Sequence, residues 1–147
     1  GLALKSSLQN KKLNFEESSN LEYQQIEGDA FQKLRELKST NSQFDLVILD
    51  PPAFARKKKH RPQALRAYSR LAGLGVQLVA PGGRLFSASC SLHISAEDFY
   101  RAVNYGVTSA QKQLTEISRT GHPIDHPIKF NELDYLKSVI GWVGDKK

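Results

Sequence analysis

The chain is expected to fold as an α/β domain whose sheet is mostly parallel, with an antiparallel strand at one edge. Three observations carry that expectation. Apolar strand-like runs alternate with amphipathic helical stretches. FDLVILD, residues 44–50, is a continuous branched-apolar run of the kind a strand buried on both faces requires. The last two strand-like runs have only a turn-rich segment between them, which points to an antiparallel partner at one edge.

The elements follow in order. Residues 1–12 read as a helix, with Leu2, Leu4 and Leu8 as a partial apolar stripe. Residues 21–29, LEYQQIEGD, read as a short strand ending at Asp29. Residues 30–37 read as a helix with Phe31, Leu34 and Leu37 at helical spacing. KSTNSQ forms a loop before the strand at 44–50. A basic linker runs from Ala55 to Pro62. A helix over 63–80 is expected to stop at Pro81-Gly82-Gly83. Strand 84–91 follows, then a helix over 95–105 with Ser95 as N-cap and Asp98 three residues on. Strands at 114–121 and 135–143 flank GHPIDHPIKFNE.

The chain has 147 residues, which suits one domain with one core. Lys and Arg total 21 against 15 for Asp and Glu, a formal net charge of +6. That balance fits a nucleic-acid partner. No apolar run is long enough to span a membrane, and residues 1–12 lack a signal peptide's apolar core. One cysteine, Cys90, excludes an internal disulfide and makes the cytoplasm the default location. His122 and His126 are four apart, but Gly121, Pro123 and Pro127 exclude a regular helix there, so no metal site is expected. GHPIDHP reads instead as a rigid loop. No position 1 methionine is present, which suggests a piece of something longer.

In such sheets, ligands sit beyond the carboxyl ends of the strands. Asp29, the Asp50-Pro51-Pro52 turn and Ser89-Cys90-Ser91 all fall at expected strand ends, so they are expected on one rim. Two prolines give Asp50 a fixed direction. A rigid acid there suits an amine or a ring nitrogen, although it also suits a plain turn. Cys90 is either a small core residue or a nucleophile, with His93 nearby. Arg56, Lys57, Lys58, Lys59, His60 and Arg61 make a dense positive run whose self-repulsion a polyanion would relieve. Tyr68, in the same stretch, is a candidate for stacking on a base. No phosphate-binding glycine loop occurs: Gly82-Gly83 lies between helix and strand, the wrong order for a dinucleotide fingerprint.

DPPAF at 50–54, the basic segment, the helix and PGG turn, SCS at 89–91 and GHPIDHP at 121–127 together resemble one family. It is the S-adenosylmethionine-dependent methyltransferases of large-subunit ribosomal RNA, in particular those that form C5-methylcytosine. The resemblance runs from Leu2 to about Leu136. It implies a partial Rossmann-like class I methyltransferase fold with its N-terminal strands and helices missing. It implies S-adenosyl-L-methionine as cofactor, with Asp29, Ala30 and Phe31 at the adenine and Asp50 and Pro51 near the methyl group. It implies Cys90 as nucleophile and Asp50 as the group holding the base. Pro51, Pro52, Phe54, Arg56, Lys57, Lys58, Lys59, Arg61 and Tyr68 would contact the RNA. The position four past Tyr68, Asn in the family, is Ala72 here. The family's glycine-rich loop, ribose-binding acid and PUA domain would lie upstream of Gly1. Residues 1–147 are thus expected to be the C-terminal portion of the methyltransferase domain, with the upstream part of the polypeptide and structured RNA as partners, and neither membrane nor metal. Two other readings stay open: an amine methyltransferase acting on guanine or adenine, and a non-catalytic basic RNA-binding module.

Overall fold

The structure is a computed structural model, and it describes residues 2–15, 22–123 and 135–146. The chain divides into two compact units, Gly1–Lys33 and Leu34–Lys147.

The first unit holds helix α1 (Leu2–Asn14), on which no residue is buried. Residues 22–27 form no strand. They run as irregular chain, held by side chains: Gln25 Nε2 donates to the Leu4 carbonyl and to Tyr23 Oη, and Lys11 lies 5.2 Å from the centre of the Tyr23 ring. The strand expected over 21–29 is therefore absent from these described residues. Its branched apolar content is low, and a strand needs a neighbour's backbone to pair with. Helix α2 (Ala30–Ser39) begins at Asp29, whose Oδ1 accepts from Gln32 N at 2.9 Å. This is an N-cap.

The second unit opens with the end of α2. Asn41 takes a left-handed φ of 54° and donates to Lys38 O, while Ser42 donates to Leu37 O. Those paired bonds close the helix and satisfy its last carbonyls. Strand β1 (Phe44–Leu49), helix α3 (Arg61–Gly75), strand β2 (Val79–Ser89), helix α4 (Ala96–Ser109), strand β3 (Lys112–Thr120) and strand β4 (Lys137–Asp145) follow.

The sheet has the order β1-β2-β4-β3. Among the described residues only β1 and β2 pair in parallel, and β4 runs antiparallel to both neighbours. The sheet is therefore mixed, rather than mostly parallel in its pairings. The antiparallel strand is also not at the edge. β4 is buried along most of its first half and offers Val139, Ile140 and Val143, so it takes the inner place. β3 is exposed along nearly its whole length and forms the edge. Polar KQLTEISRT loses little by facing water.

α3 and α4 pack on each other and on one face of the sheet. Val47 and Leu49 point to that face, with Leu85, Val139 and Val143. Phe99 of α4 is fully buried there, worth roughly 1.5–3 kcal/mol. The helices cross at glycines: a Cβ on Gly106 would meet Ser69 O at 2.0 Å, and one on Gly73 would meet Gly106 O at 2.9 Å. Only bare backbone allows that approach. The opposite face carries Leu46, Ile48 and Trp142, all exposed, with the Arg84 guanidinium 4.2 Å from the Trp142 ring centre.

The helix expected over 63–80 ends instead at Gly75, followed by a 3₁₀ turn at Val76–Leu78. Pro81-Gly82-Gly83 lies inside β2, not at the helix stop. The sheet takes these residues because Val79 already pairs with Phe44. Gly82 (φ 75°) supplies the left-handed residue in this irregular stretch of strand. The Ser95 cap is as expected: its side chain accepts from Asp98 N at the start of α4.

Asp98 also carries the ion pair that ties the two helix starts, Arg61 to Asp98 at 2.5 Å. Hydrogen bonds from the Ser95 hydroxyl and then the Arg61 guanidinium hold the Asp98 carboxyl below its usual range, against a smaller opposing effect of burial. A depressed folded-state pKa stabilises above the unfolded value and loses that contribution as pH falls through the folded one. Urea midpoints are accordingly expected to drop below about pH 4. In Asp98→Asn that acid drop should be shallower, and an unchanged drop would remove Asp98 as its source.

Candidate active site at the carboxyl edge of β1 and β2

β1 and β2 are parallel neighbours, with Leu49 paired to Ser87. Both chains therefore leave the sheet at the same edge. Asp50 is the first residue after β1 and Cys90 the first after β2. Strand alternation sets their faces. Val47 and Leu49 are buried against the helices and Ile48 is exposed, so Asp50 follows Ile48 to the face away from them. Ser87, Ser89 and Ser91 are buried, so Cys90, half-exposed between two of them, turns to that same face. The structure thus brings Asp50 and Cys90 to one edge. Asp29 belongs to the first unit.

The flanking serines are anchors. Ser89 Oγ donates to Tyr68 Oη at 2.8 Å, Tyr68 Oη and Ser91 Oγ share a bond of 2.8 Å, and Ser91 N donates back to Ser89 Oγ at 3.2 Å. Ala55 N donates to Ser91 Oγ at 3.5 Å, a long bond, from the loop after Asp50-Pro51-Pro52. Tyr68 is 1% exposed, between Phe54 at 4.8 Å and Phe99 at 5.2 Å between ring centres. This corrects the stacking role expected of Tyr68. Its hydroxyl end is consumed by the two serines and its ring by two phenylalanines, so it offers a base no face. It ties the β1 loop to the end of β2 instead. Phe54 is half-buried on it, and Pro51 half-buried and Pro52 exposed line the turn.

Lys137 was not singled out in the sequence. It is 4% exposed, at the start of β4, and its Nζ donates to Ser91 O at 2.8 Å and Ile94 O at 2.5 Å. A buried ammonium closes the turn directly after Cys90. The signal was a lysine inside the apolar run YLKSVIGWV. His93 lies half-buried in that turn, and among the described residues no hydrogen bond joins it to Cys90. His122 Nε2 accepts from Tyr135 N and Leu136 N, both at 3.2 Å, and so joins the two ends of the 124–134 segment. His126 lies outside the described residues.

Beyond the loop, Arg56, Lys57, Lys58 and Lys59 are exposed, with a 3₁₀ turn at Lys58–His60 leading into α3. α3 has no acid in its first turn, and its N-cap His60 makes no side-chain cap bond. Cations at the positive end of a helix cost stability. Arg61 is offset by Asp98, while the lysines lie open to water. Asp29, Ala30 and Phe31, in the first unit, form the start of α2. Asp29 and Ala30 are exposed and Phe31 is half-buried. Among the described residues no group of three or more His, Cys, Asp or Glu could hold a metal ion, and no helix is long and apolar enough to cross a membrane.

No protein-family model matches the chain. A ribosomal RNA large subunit methyltransferase of Deinococcus radiodurans is 42% identical over 137 residues, which cover 93% of this chain and 33% of that protein. A putative SAM-dependent methyltransferase from Streptococcus mutans superposes with a TM-score of 0.64 at 17% identity, over 78% of this chain and 29% of that one. N-methyltransferase NodS from Bradyrhizobium japonicum, solved with S-adenosyl-L-homocysteine, gives 0.54 at 18% identity, over 95% of this chain and 61% of that one. The fold is that of class I methyltransferases, with a mixed sheet. The chain spans about a third of the length of the curated relatives it matches. Along nearly its whole length, it is related in sequence to the ribosomal RNA large-subunit methyltransferases.

Proposed function

We propose that the whole protein transfers a methyl group from S-adenosylmethionine to C5 of a cytosine in large-subunit ribosomal RNA. The observation that supports this reading is that Asp50 and Cys90 directly follow two neighbouring parallel strands at one edge of the sheet. An amine methyltransferase needs the acid and prolines but no thiol, and here two buried serines and Tyr68 hold a thiol outward beside them.

Cys90, as thiolate, attacks C6 of the cytosine, and the C5=C6 electron pair moves toward C5. Asp50 holds N3 and the exocyclic amine and stabilises the adduct. S-adenosylmethionine, when bound, supplies the electrophilic methyl that C5 takes. Loss of the C5 proton then restores the double bond and expels the thiolate. Pro51 and Pro52 fix the direction of Asp50. The exposed Asp29 carboxylate, which keeps an oxygen beyond its capping bond, and the Phe31 ring fit an adenine amine and ring, with Ala30 between them. The cytosine must leave its helix to reach this edge, and Arg56, Lys57, Lys58, Lys59 and Arg61 would grip the flanking phosphates.

The test uses the whole protein, methyl-labelled S-adenosylmethionine and large-subunit RNA that lacks the modification. Label is expected in 5-methylcytidine. Label in an N-methylated purine would replace this reading with the amine one. Lys57→Gln, Lys58→Gln and Lys59→Gln together should weaken RNA binding and flatten its log–log salt slope by about 2. Unchanged binding would reduce the lysines to surface decoration.

A further inference from the structure

Tyr68 is buried, but another aromatic stands in the open. Tyr105 is 69% exposed and contributes nothing to the core. It borders a groove of about 550 Å³ between α3 and α4. Arg66 and Arg70 line it from α3; Asp98, Arg101 and Tyr105 line it from α4; Leu65 lies among them. The close helix crossing at Gly73 and Gly106 is what brings these two rows to face each other. Arg66 and Arg70 are one turn apart on one side, as Arg101 and Tyr105 are on the other.

The charge in the groove is lopsided. Three guanidiniums meet one carboxylate, and Asp98 is already engaged by Ser95 and Arg61. Glu97 beside it pairs with Arg101 at 3.0 Å. The basic sequence also runs on from the Lys57–Lys59 loop into α3, which starts at Arg61 directly after it. From Arg61 to Arg70 the helix extends it by about 13 Å. Guanidiniums with an open tyrosine on an apolar floor match a ligand that is polyanionic and carries flat rings. A protein partner would need acids spaced to the arginines of α3, whereas an RNA strand supplies both features at every nucleotide.

We propose that the α3–α4 groove is a second RNA contact. Arg66 and Arg70 hold phosphates, and Tyr105 stacks on an unpaired base of the same RNA that the basic loop grips. This rests on the RNA reading above, and its test separates the two. RNA affinity of the whole protein is measured by fluorescence anisotropy on a large-subunit RNA segment, across a series of salt concentrations. The wild type is compared with Arg66→Gln/Arg70→Gln, Tyr105→Ala, Tyr105→Phe and the lysine triple variant. Equal unfolding midpoints confirm that each variant is folded. The double variant is expected to flatten the log–log salt slope by about 1.4. Tyr105→Ala should raise Kd roughly fivefold or more with the slope unchanged, and Tyr105→Phe should restore wild-type affinity. If the groove variants bind as wild type while the lysine variant is weakened, the groove proposal is overturned and the RNA reading stands. If wild type itself does not bind RNA, both fall. If Tyr105→Ala instead dissociates a dimer in sedimentation, the groove is a self-association surface and the proposal is overturned.

Discussion

Replacing Cys90 with Ala is expected to abolish methyl transfer to cytosine C5, by on the order of 10⁴-fold or more. Cytosine C5 has little nucleophilicity until a group adds to C6, and alanine has nothing to add. The substitution itself is mild for the fold. Cys90 is half-exposed, and Ser89, Ser91 and Tyr68 carry the hydrogen bonds of this strand end without it. The variant should therefore unfold at nearly the wild-type midpoint and bind RNA with wild-type affinity, so that only turnover falls. A second measurement sees the covalent step directly. RNA with 5-fluorocytosine at the target position should accumulate as a protein–RNA adduct, because fluorine cannot leave C5 as a proton does. The adduct should form with wild type and be absent with Cys90→Ala. Methyl transfer that survives the substitution would assign the chemistry to an amine of a base, with Asp50 as its acceptor and Cys90 as a bystander.

Lys137→Met should be the most damaging single change outside that thiol. Methionine matches the aliphatic stem but removes the donor from two carbonyls, Ser91 O and Ile94 O, within the buried turn. Ser91 O still accepts from Ile94 N at 3.2 Å, but a buried acceptor left without a partner, as Ile94 O would be, costs about 1–3 kcal/mol, and a loss of about that size is expected by urea unfolding. The turn follows Cys90 directly, so the thiol should also lose its fixed position. Below the unfolding transition, the iodoacetamide alkylation rate of Cys90 is expected to change at least threefold, and the 5-fluorocytosine adduct to form more slowly. A variant that is merely less stable, with alkylation and adduct formation as in wild type, would make Lys137 a structural residue only.

Some of this was readable from residue order. β1 was readable as a strand, although only Val47 and Leu49 are buried and the two-sided burial expected of FDLVILD is not found, and Asp50 was readable because two prolines must end the strand. The Ser95 cap was readable from spacing alone. Helix α3 was placed but its end was not. Val76 and Leu78 continue an apolar helical pattern, and nothing local reveals that Val79 is claimed by Phe44 on β1. The order of the last two strands misled for a related reason. Both look like strands, but only their burial decides which is inner, and the inner one is β4.

The site divides along the same line. Type and spacing nominated Asp50, Cys90 and the basic loop, because chemistry resides in the side chain and proximity along the chain brings loop and acid together. Long-range packing decided the rest. It turned Tyr68 inward onto Ser89 and Ser91, exposed Tyr105 in its place, and set Lys137, 46 residues away in sequence, on the Ser91 carbonyl. Which face a tyrosine presents, and which carbonyl a lysine finds, depends on neighbours that only the folded chain assembles. A buried polar group must be satisfied by whatever the fold places within reach.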